Sequence, residues 1–219
     1  MRISLIGTYH AERGAVTVSA LLAILERIQP EVVFAEIPRT NTGTWREGSH
    51  GTLESMAVAR YAGTHSIDVV AVDSPKPEDS FFQGWEEVSR AVERTSPEFR
   101  RLMDLNTKRM CKGGFAYLNS DECIQAWADI YREELETIEY IGSSRLRDFY
   151  AQVRDLNERR DLEMLGTIRA YCASAAQSCG AFLVGAAHRK SLLEKIRTAG
   201  AATVPHIDWD VGGSQIGSG

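Results

Sequence analysis

The sequence predicts an α/β protein with a mostly parallel central sheet, flanking helices and a helical insertion between the two halves of the sheet. Three observations support this fold class. Over residues 1–75, short apolar segments alternate with segments of helical periodicity. The middle of the chain has almost no strand-like segment, and a short apolar segment occurs again at residues 181–185. Regular alternation of strands and helices is typical of a parallel sheet.

Residues 1–75 are expected to form strand, helix, strand, helix and strand. The strands are predicted at residues 3–6, 31–38 and 68–73, because each segment is short and nearly continuously apolar, as strands covered on both faces are. The first helix has one apolar stripe, made of Val18, Leu21, Leu22, Leu25 and Ile28, and it ends before Pro30. The second helix is predicted from about residue 52 to about residue 64.

Residues 76–178 are interpreted as the helical insertion, with Ser120 as the N-cap of one of its helices. The second half, residues 179–211, is expected to contain a strand at 181–185, a helix at 191–199 and a last strand near 203–209. Residues 1–211 would then form a single α/β domain, and residues 212–219, rich in Gly and Ser, a flexible tail.

Composition excludes several classes of protein. The 219 residues include 25 Lys and Arg against 30 Asp and Glu, a net charge of −5 that offers no general attraction for nucleic acid. No apolar run approaches the roughly 18 residues of a membrane span, and the first residues lack the apolar core of a signal peptide, so we expect a cytoplasmic protein that binds no membrane. The four cysteines lack zinc-site spacing and are expected to be buried thiols. The oligomeric state, including a homodimer, stays open.

A short motif, Gly-x-x-His, occurs twice. Gly7-Thr8-Tyr9-His10 follows the first predicted strand and Gly185-Ala186-Ala187-His188 follows a later one, while Glu36 and Asp73 stand at the ends of the second and third strands. Because parallel strands present their carboxyl ends at one edge of a sheet, we expect His10, His188, Glu36 and Asp73 to converge there.

Two chemistries fit these four side chains. Imidazoles and carboxylates are a common ligand set for zinc, manganese or cobalt, so His10, Glu36, His188 and Asp73 are predicted metal ligands that would activate a water molecule. Without a metal ion, His10 or His188 would act as a general base while Glu36 orients the ring. Asp73 also suits a turn or helix cap before Ser74.

Three further residues are predicted to bind substrate. Arg39 follows the Glu36 strand and could hold a carboxylate or phosphate group, and Arg160 and Asp161 begin an apolar helical stretch that leads to the second Gly-x-x-His. The other histidines, His50, His65 and His206, are interpreted as surface or structural residues.

The combination of these motifs resembles the TraB/PrgY, GumN and Tiki superfamily, to which erythromycin-esterase-like and ChaN-like proteins are more distantly related. The resemblance covers about the first 40 residues and residues 154–196. It assigns the paired histidines to His10 and His188, the strand-end glutamate to Glu36, and an Arg-Asp pair to Arg160 and Asp161. The Gly-Asp pair that many GumN-like and Tiki-like chains carry after a Trp is not kept, since Ala128-Asp129 follows Trp127 here.

This resemblance implies a hydrolase more than a particular substrate. Tiki proteins are metal-dependent peptidases, and erythromycin-esterase-like proteins cleave esters through His and Glu without metal. We therefore expect a hydrolase, assisted by a divalent metal ion (Mn, Co or Zn), that cleaves a peptide or a small ester or amide, with His10, Glu36 and His188 as catalytic residues. The alternatives are a metal-independent His/Glu esterase and a non-catalytic protein of the same fold that binds a peptide, haem or another small ligand.

Overall fold

A computed structural model describes residues 1–199 and 206–212, and within them five parallel strands form one sheet surrounded by eight α-helices. The predicted α/β class is confirmed. The strands are β1 (Arg2–Thr8), β2 (Val32–Pro38), β3 (Asp68–Asp73), β4 (Cys179–Gly185) and β5 (Asp208–Asp210). The helices are α1 (Val18–Ile28), α2 (Thr42–Arg46), α3 (Leu53–Ala62), α4 (Asp79–Thr95), α5 (Pro97–Leu118), α6 (Asp121–Ile141), α7 (Ser144–Cys172) and α8 (Arg189–Ala199).

The strand order is β3-β2-β4-β1-β5. The late strand β4 therefore lies between β1 and β2, with Gly185 opposite Thr8 of β1 and Phe182 opposite Phe34 of β2. All pairs are parallel, so the carboxyl ends of β1 to β4 share one edge, which we call the carboxyl edge. The last strand is shorter and later than predicted, beginning at Asp208, and residues 203–205 of the predicted stretch lie outside the described residues.

Side chains of the strands alternate between two apolar cores, one on each face of the sheet. On one face α1, α3 and the end of α5 cover Ile6, Val33, Ala35 and Leu183. On the other face α7 and α8 cover Ile3, Leu5, Phe34, Phe182 and Val184. Burial on both faces explains why the strands are nearly continuous apolar runs rather than alternating ones.

The predicted helical insertion consists of α4 to α7, which carry a third apolar core of their own. Its buried members are Val88, Val92, Phe99, Ile130, Ile138, Leu146 and Tyr150. A serine side chain caps the start of α5, α6 and α7, and the cap of α6 is Ser120, as predicted. The 29-residue α7 then packs along β3 and α8, which brings residues 157–161 to the carboxyl edge.

In the described part of the chain, no helix combines the length and the apolar composition needed to cross a membrane.

Candidate functional site

The two Gly-x-x-His motifs leave the carboxyl edge from neighbouring strands. Thr8, the second residue of the first motif, pairs with Gly185, the first residue of the second motif. The second motif forms a single 3₁₀ turn that runs directly into α8. Both histidines therefore reach the edge where Glu36 of β2 and Asp73 of β3 also end.

Glu36 and Asp73 share one guanidinium group. Arg160 of α7 donates from Nη2 to Glu36 Oε1 at 2.7 Å and to Asp73 Oδ2 at 2.8 Å, and from Nε to Asp73 Oδ1 at 2.9 Å. The other oxygen of Glu36 accepts the backbone N–H of Gly185 at 2.7 Å. Burial acts to lower the pKa of Arg160, but its hydrogen bonds to the two carboxylates and their charges outweigh burial and raise it, so the guanidinium stays charged.

His188 lies between two carboxylates. Its Nδ1 is 2.7 Å from Asp161 Oδ1, and its Nε2 is 3.4 Å from Glu36 Oε1. Lys195 of α8 adds a positive charge 3.7 Å from the second oxygen of Asp161. Burial acts to lower the pKa of His188, yet the hydrogen bond to Asp161 and the charge of Glu36 outweigh burial and raise that pKa. The two carboxylates favour the imidazolium form, because only that form carries a positive charge.

His10 is held by a residue that sequence reasoning missed, Glu54 of α3. His10 Nδ1 lies 2.9 Å from Glu54 Oε1, which also accepts the hydroxyl of Thr8 at 2.6 Å. The backbone N–H of Leu53 donates to the carbonyl of His10, which fixes the loop to the start of α3. The hydrogen bond and the charge of Glu54 raise the pKa of His10 against a smaller effect of burial.

Glu54 itself is almost fully buried, and only one of its two oxygens is hydrogen-bonded within the described part of the chain. Burial acts to raise the pKa of this carboxyl, but the hydrogen bond and charge of His10, with the Thr8 hydroxyl, lower it below its ordinary value. Oε2 is buried without a hydrogen bond among the described residues. A sequence signal existed: Glu54 lies on the same side of α3 as Val58 and Tyr61, four and seven residues on, both of which face the core.

Glu36 lines one cavity and lies 3.4 Å from His188, which lines another. The first, which we call the inner cavity, has a volume of about 180 Å³ and is lined by His10, Glu36 and Glu54 together with Thr8, Trp45 and His50. The second, which we call the aromatic cavity, has a volume of about 460 Å³ and contains His188 and Asp161 beside Trp85, Tyr131 and Tyr150. The charge of Glu36 acts to raise the pKa of both histidines, so the rings share this neighbour although they line different cavities.

The predicted metal ligands do not form a metal site as they are arranged in the structure. Over the described residues, no group of three His, Cys, Asp or Glu side chains could hold an ion. The reason is that Arg160 already supplies a cation to the oxygens of Glu36 and Asp73, while Glu54 binds His10. This donor set does not fit a divalent ion unless Arg160 moves, and metal assistance stays a prediction from the sequence.

The remaining predicted residues separate into two groups. Arg160 and Asp161 contact the site directly, as described above. Arg39 is exposed and lines a neighbouring cavity with Asp73, without a contact to Glu36 among the described residues. His50, interpreted from sequence as a surface or structural residue, is exposed but also lines the inner cavity.

Beneath the site lies a buried arginine that the sequence did not reveal. Arg189, the residue after His188, is bound by the carbonyl of Leu5 and by the side chain and carbonyl of Asn119, all at 3.1–3.2 Å. Asn119 also exchanges two hydrogen bonds with the backbone of Gly7. Burial lowers the pKa of Arg189. The pair ties the two Gly-x-x-His segments to the end of α5, which fixes the positions of both histidines.

Comparison of the chain with protein-family models, with curated proteins and with solved structures finds no match in any of the three.

Proposed function

We propose that this protein is a hydrolase that cleaves a peptide or a small ester or amide, with His10 as the general base. One observation carries the proposal. Glu54 holds Nδ1 of His10, while Nε2 has no hydrogen-bond partner among the described residues, and the ring lines the inner cavity. A ring oriented through one nitrogen and free at the other is the arrangement that proton abstraction from water requires.

In the proposed reaction His10 removes a proton from a water molecule in the inner cavity, and that water attacks the carbonyl carbon of the substrate. The negative charge of Glu54 stabilises the imidazolium that forms on His10. Thr8 and the backbone of Leu53 keep Glu54 and the His10 loop in place. The proton therefore passes from water to Nε2 of His10.

His188 is the proposed proton donor to the leaving group. Its ring lies beside Asp161 and Glu36, whose charges favour the protonated form, and it lines the aromatic cavity. A general base that starts neutral and a general acid that starts protonated are both needed for hydrolysis of an amide. Arg160 donates a hydrogen bond to Glu36 and holds that carboxylate in place beside His188.

Two further parts of the proposal concern the metal ion and the compartment. The metal-assisted form of the reaction, with Mn, Co or Zn, would need Glu36 and Asp73 to exchange Arg160 for the ion. The cytoplasm is the proposed compartment, since all four cysteines are free thiols in the structure, as is usual in a reducing environment.

The test is hydrolysis of a panel of chromogenic esters, anilides and short peptides by the wild type and by His10→Asn. We expect a loss of about 100-fold or more in His10→Asn, the usual range for a general base. His65→Asn is the matched control, because His65 stacks on Tyr61 away from both cavities.

Each assay is run after treatment with a chelator and after addition of Mn²⁺, Co²⁺ or Zn²⁺. Activity that survives the chelator supports the metal-free mechanism, and activity restored only by an ion supports the metal-assisted form. Equal rates for His10→Asn and the wild type would refute His10 as the base. A complete panel without turnover would favour the binding protein over the enzyme.

A further inference from the structure

The aromatic cavity combines ring faces with a buried acid. Trp85 of α4, Tyr131 of α6 and Tyr150 of α7 line it together with Glu134. The rings of Trp85 and Tyr150 are nearly parallel, with centroids 6.4 Å apart, and Tyr131 is 40% exposed, so part of its surface is available to a ligand. The cavity adjoins His188, the proposed proton donor.

Glu134 has no cationic partner among the described residues. Only 3% of its surface is exposed, and its carboxyl group accepts a hydrogen bond from Tyr150. Burial raises the pKa of Glu134 to about 7, with that hydrogen bond as the opposing influence and no cation of the described residues contributing. A buried carboxylate without a cation is costly, and such a group gains most from a ligand that brings one.

The other charged groups around the cavity are engaged or exposed. Arg132 pairs with Asp129 at 2.8 Å, Glu158 pairs with Lys195 at 2.7 Å, and Asp161 is bound to His188. Arg154, which also lines the cavity, is exposed and forms no ion pair with Glu134 within the described part of the chain. Among the charged side chains described around this cavity, Glu134 is therefore the one that lacks an opposite charge, which a cationic ligand would supply.

We propose that the aromatic cavity binds an organic ammonium group of the substrate. The faces of Trp and Tyr rings attract cations, and the carboxylate of Glu134 supplies the opposite charge. The net charge of −5 favours the approach of cations rather than anions. This inference rests on the proposed function. The substrate would be a peptide, ester or amide that carries an ammonium group on the side of the scissile bond nearer His188.

The experiment measures binding without turnover, by calorimetry at about pH 8, where Glu134 is mostly ionised. Choline is compared with 3,3-dimethylbutan-1-ol, which has the same shape and no charge. We expect choline to bind at least about ten-fold more tightly to the wild type. Glu134→Gln should abolish that preference and leave the affinity for the neutral alcohol unchanged.

Two control variants separate this inference from the proposed function. Glu136→Gln changes an exposed carboxylate on the same helix and should keep the choline preference. His10→Asn should also keep it while losing hydrolysis, so a failure of catalysis leaves the binding result intact. Equal affinity for the two probes, no binding of choline in the millimolar range, or an unchanged preference in Glu134→Gln would each overturn the inference.

Discussion

Replacing Glu134 by Gln should stabilise the protein, and by an amount that depends on pH. The pKa of Glu134 is about 7 in the folded protein against an ordinary value of 4.5. Between these values the unfolded chain has lost the proton that the folded protein still holds. The folded state therefore becomes less stable as pH rises from 4.5, and the loss is complete above about pH 7.

The magnitude follows from the same two values. Each unit of pKa difference corresponds to about 1.4 kcal/mol, so the difference between 4.5 and about 7 corresponds to about 3 kcal/mol. Gln is neutral at every pH and keeps an oxygen that accepts from Tyr150. We expect the free energy of unfolding of Glu134→Gln to exceed that of the wild type by about 3 kcal/mol at about pH 8 and to approach it near pH 4.5.

Urea unfolding followed by tryptophan fluorescence at several pH values measures this difference. Other groups titrate over the same range in both proteins, so their contributions cancel when the two curves are subtracted. Glu136→Gln, on the exposed side of α6, should show no pH-dependent difference from the wild type. A difference between Glu134→Gln and the wild type that stays constant from pH 4.5 to 8 would refute the argument that burial governs this carboxyl.

Three other substitutions test the site. Arg160→Met leaves two largely buried carboxylates without their shared cation and should lower the free energy of unfolding by about 3 kcal/mol, measured by urea unfolding. Glu54→Gln removes the charge that raises the pKa of His10, so the acid limb of the pH–rate profile of hydrolysis should move to lower pH. Gly7→Ala would place a Cβ 2.8 Å from Cδ of Arg189, and thermal unfolding should show a loss of about 1–3 kcal/mol.

Two of these substitutions have a control variant, and the third has an outcome that would contradict it. Arg132→Met removes an exposed arginine whose ion pair should contribute less than about 1 kcal/mol, so an equal cost for the two arginines would contradict the argument for Arg160. Gly166→Ala, within α7, meets no atom within 4 Å and should stabilise rather than destabilise. An unchanged acid limb in Glu54→Gln would show that His10 does not set the pH dependence.

The sequence predicts the parts of this fold that local patterning determines. Strands covered on both faces are continuous apolar runs, so β1, β2, β3 and β4 can be located from residue type alone. The parallel topology then places Glu36 and Asp73 at the carboxyl edge, where both Gly-x-x-His motifs also leave the sheet, although His10 and His188 line different cavities there. In contrast, β5 is three residues long and contains two aspartates, so the sequence predicts a last strand near residues 203–209 but does not locate its start at Asp208.

The contacts that the sequence does not predict depend on long-range packing. Glu54 meets His10 because α3 returns to the carboxyl edge, 44 residues further along the chain. The position of Arg160 between two carboxylates depends on the length of α7 and on how it packs along β3. Helical periodicity predicts which side of a helix is buried, but not which strand end that side will face. The sequence signal for a residue such as Glu54 is a glutamate at a helix position where the apolar pattern predicts burial.

The proposed roles of the two histidines rest on how many carboxylates face each ring. His188 has Asp161 at 2.7 Å from Nδ1 and Glu36 at 3.4 Å from Nε2, and these two negative charges favour its imidazolium form. His10 has a single carboxylate at Nδ1 and a side chain that is 64% exposed, so its Nε2 can exchange a proton with solvent. The charge of Glu36 acts to raise the pKa of both rings, so this shared carboxylate does not distinguish them. The difference lies in Asp161, which gives His188 a second carboxylate within 4 Å that His10 lacks among the described residues, and the proposed division into a general acid and a general base depends on it.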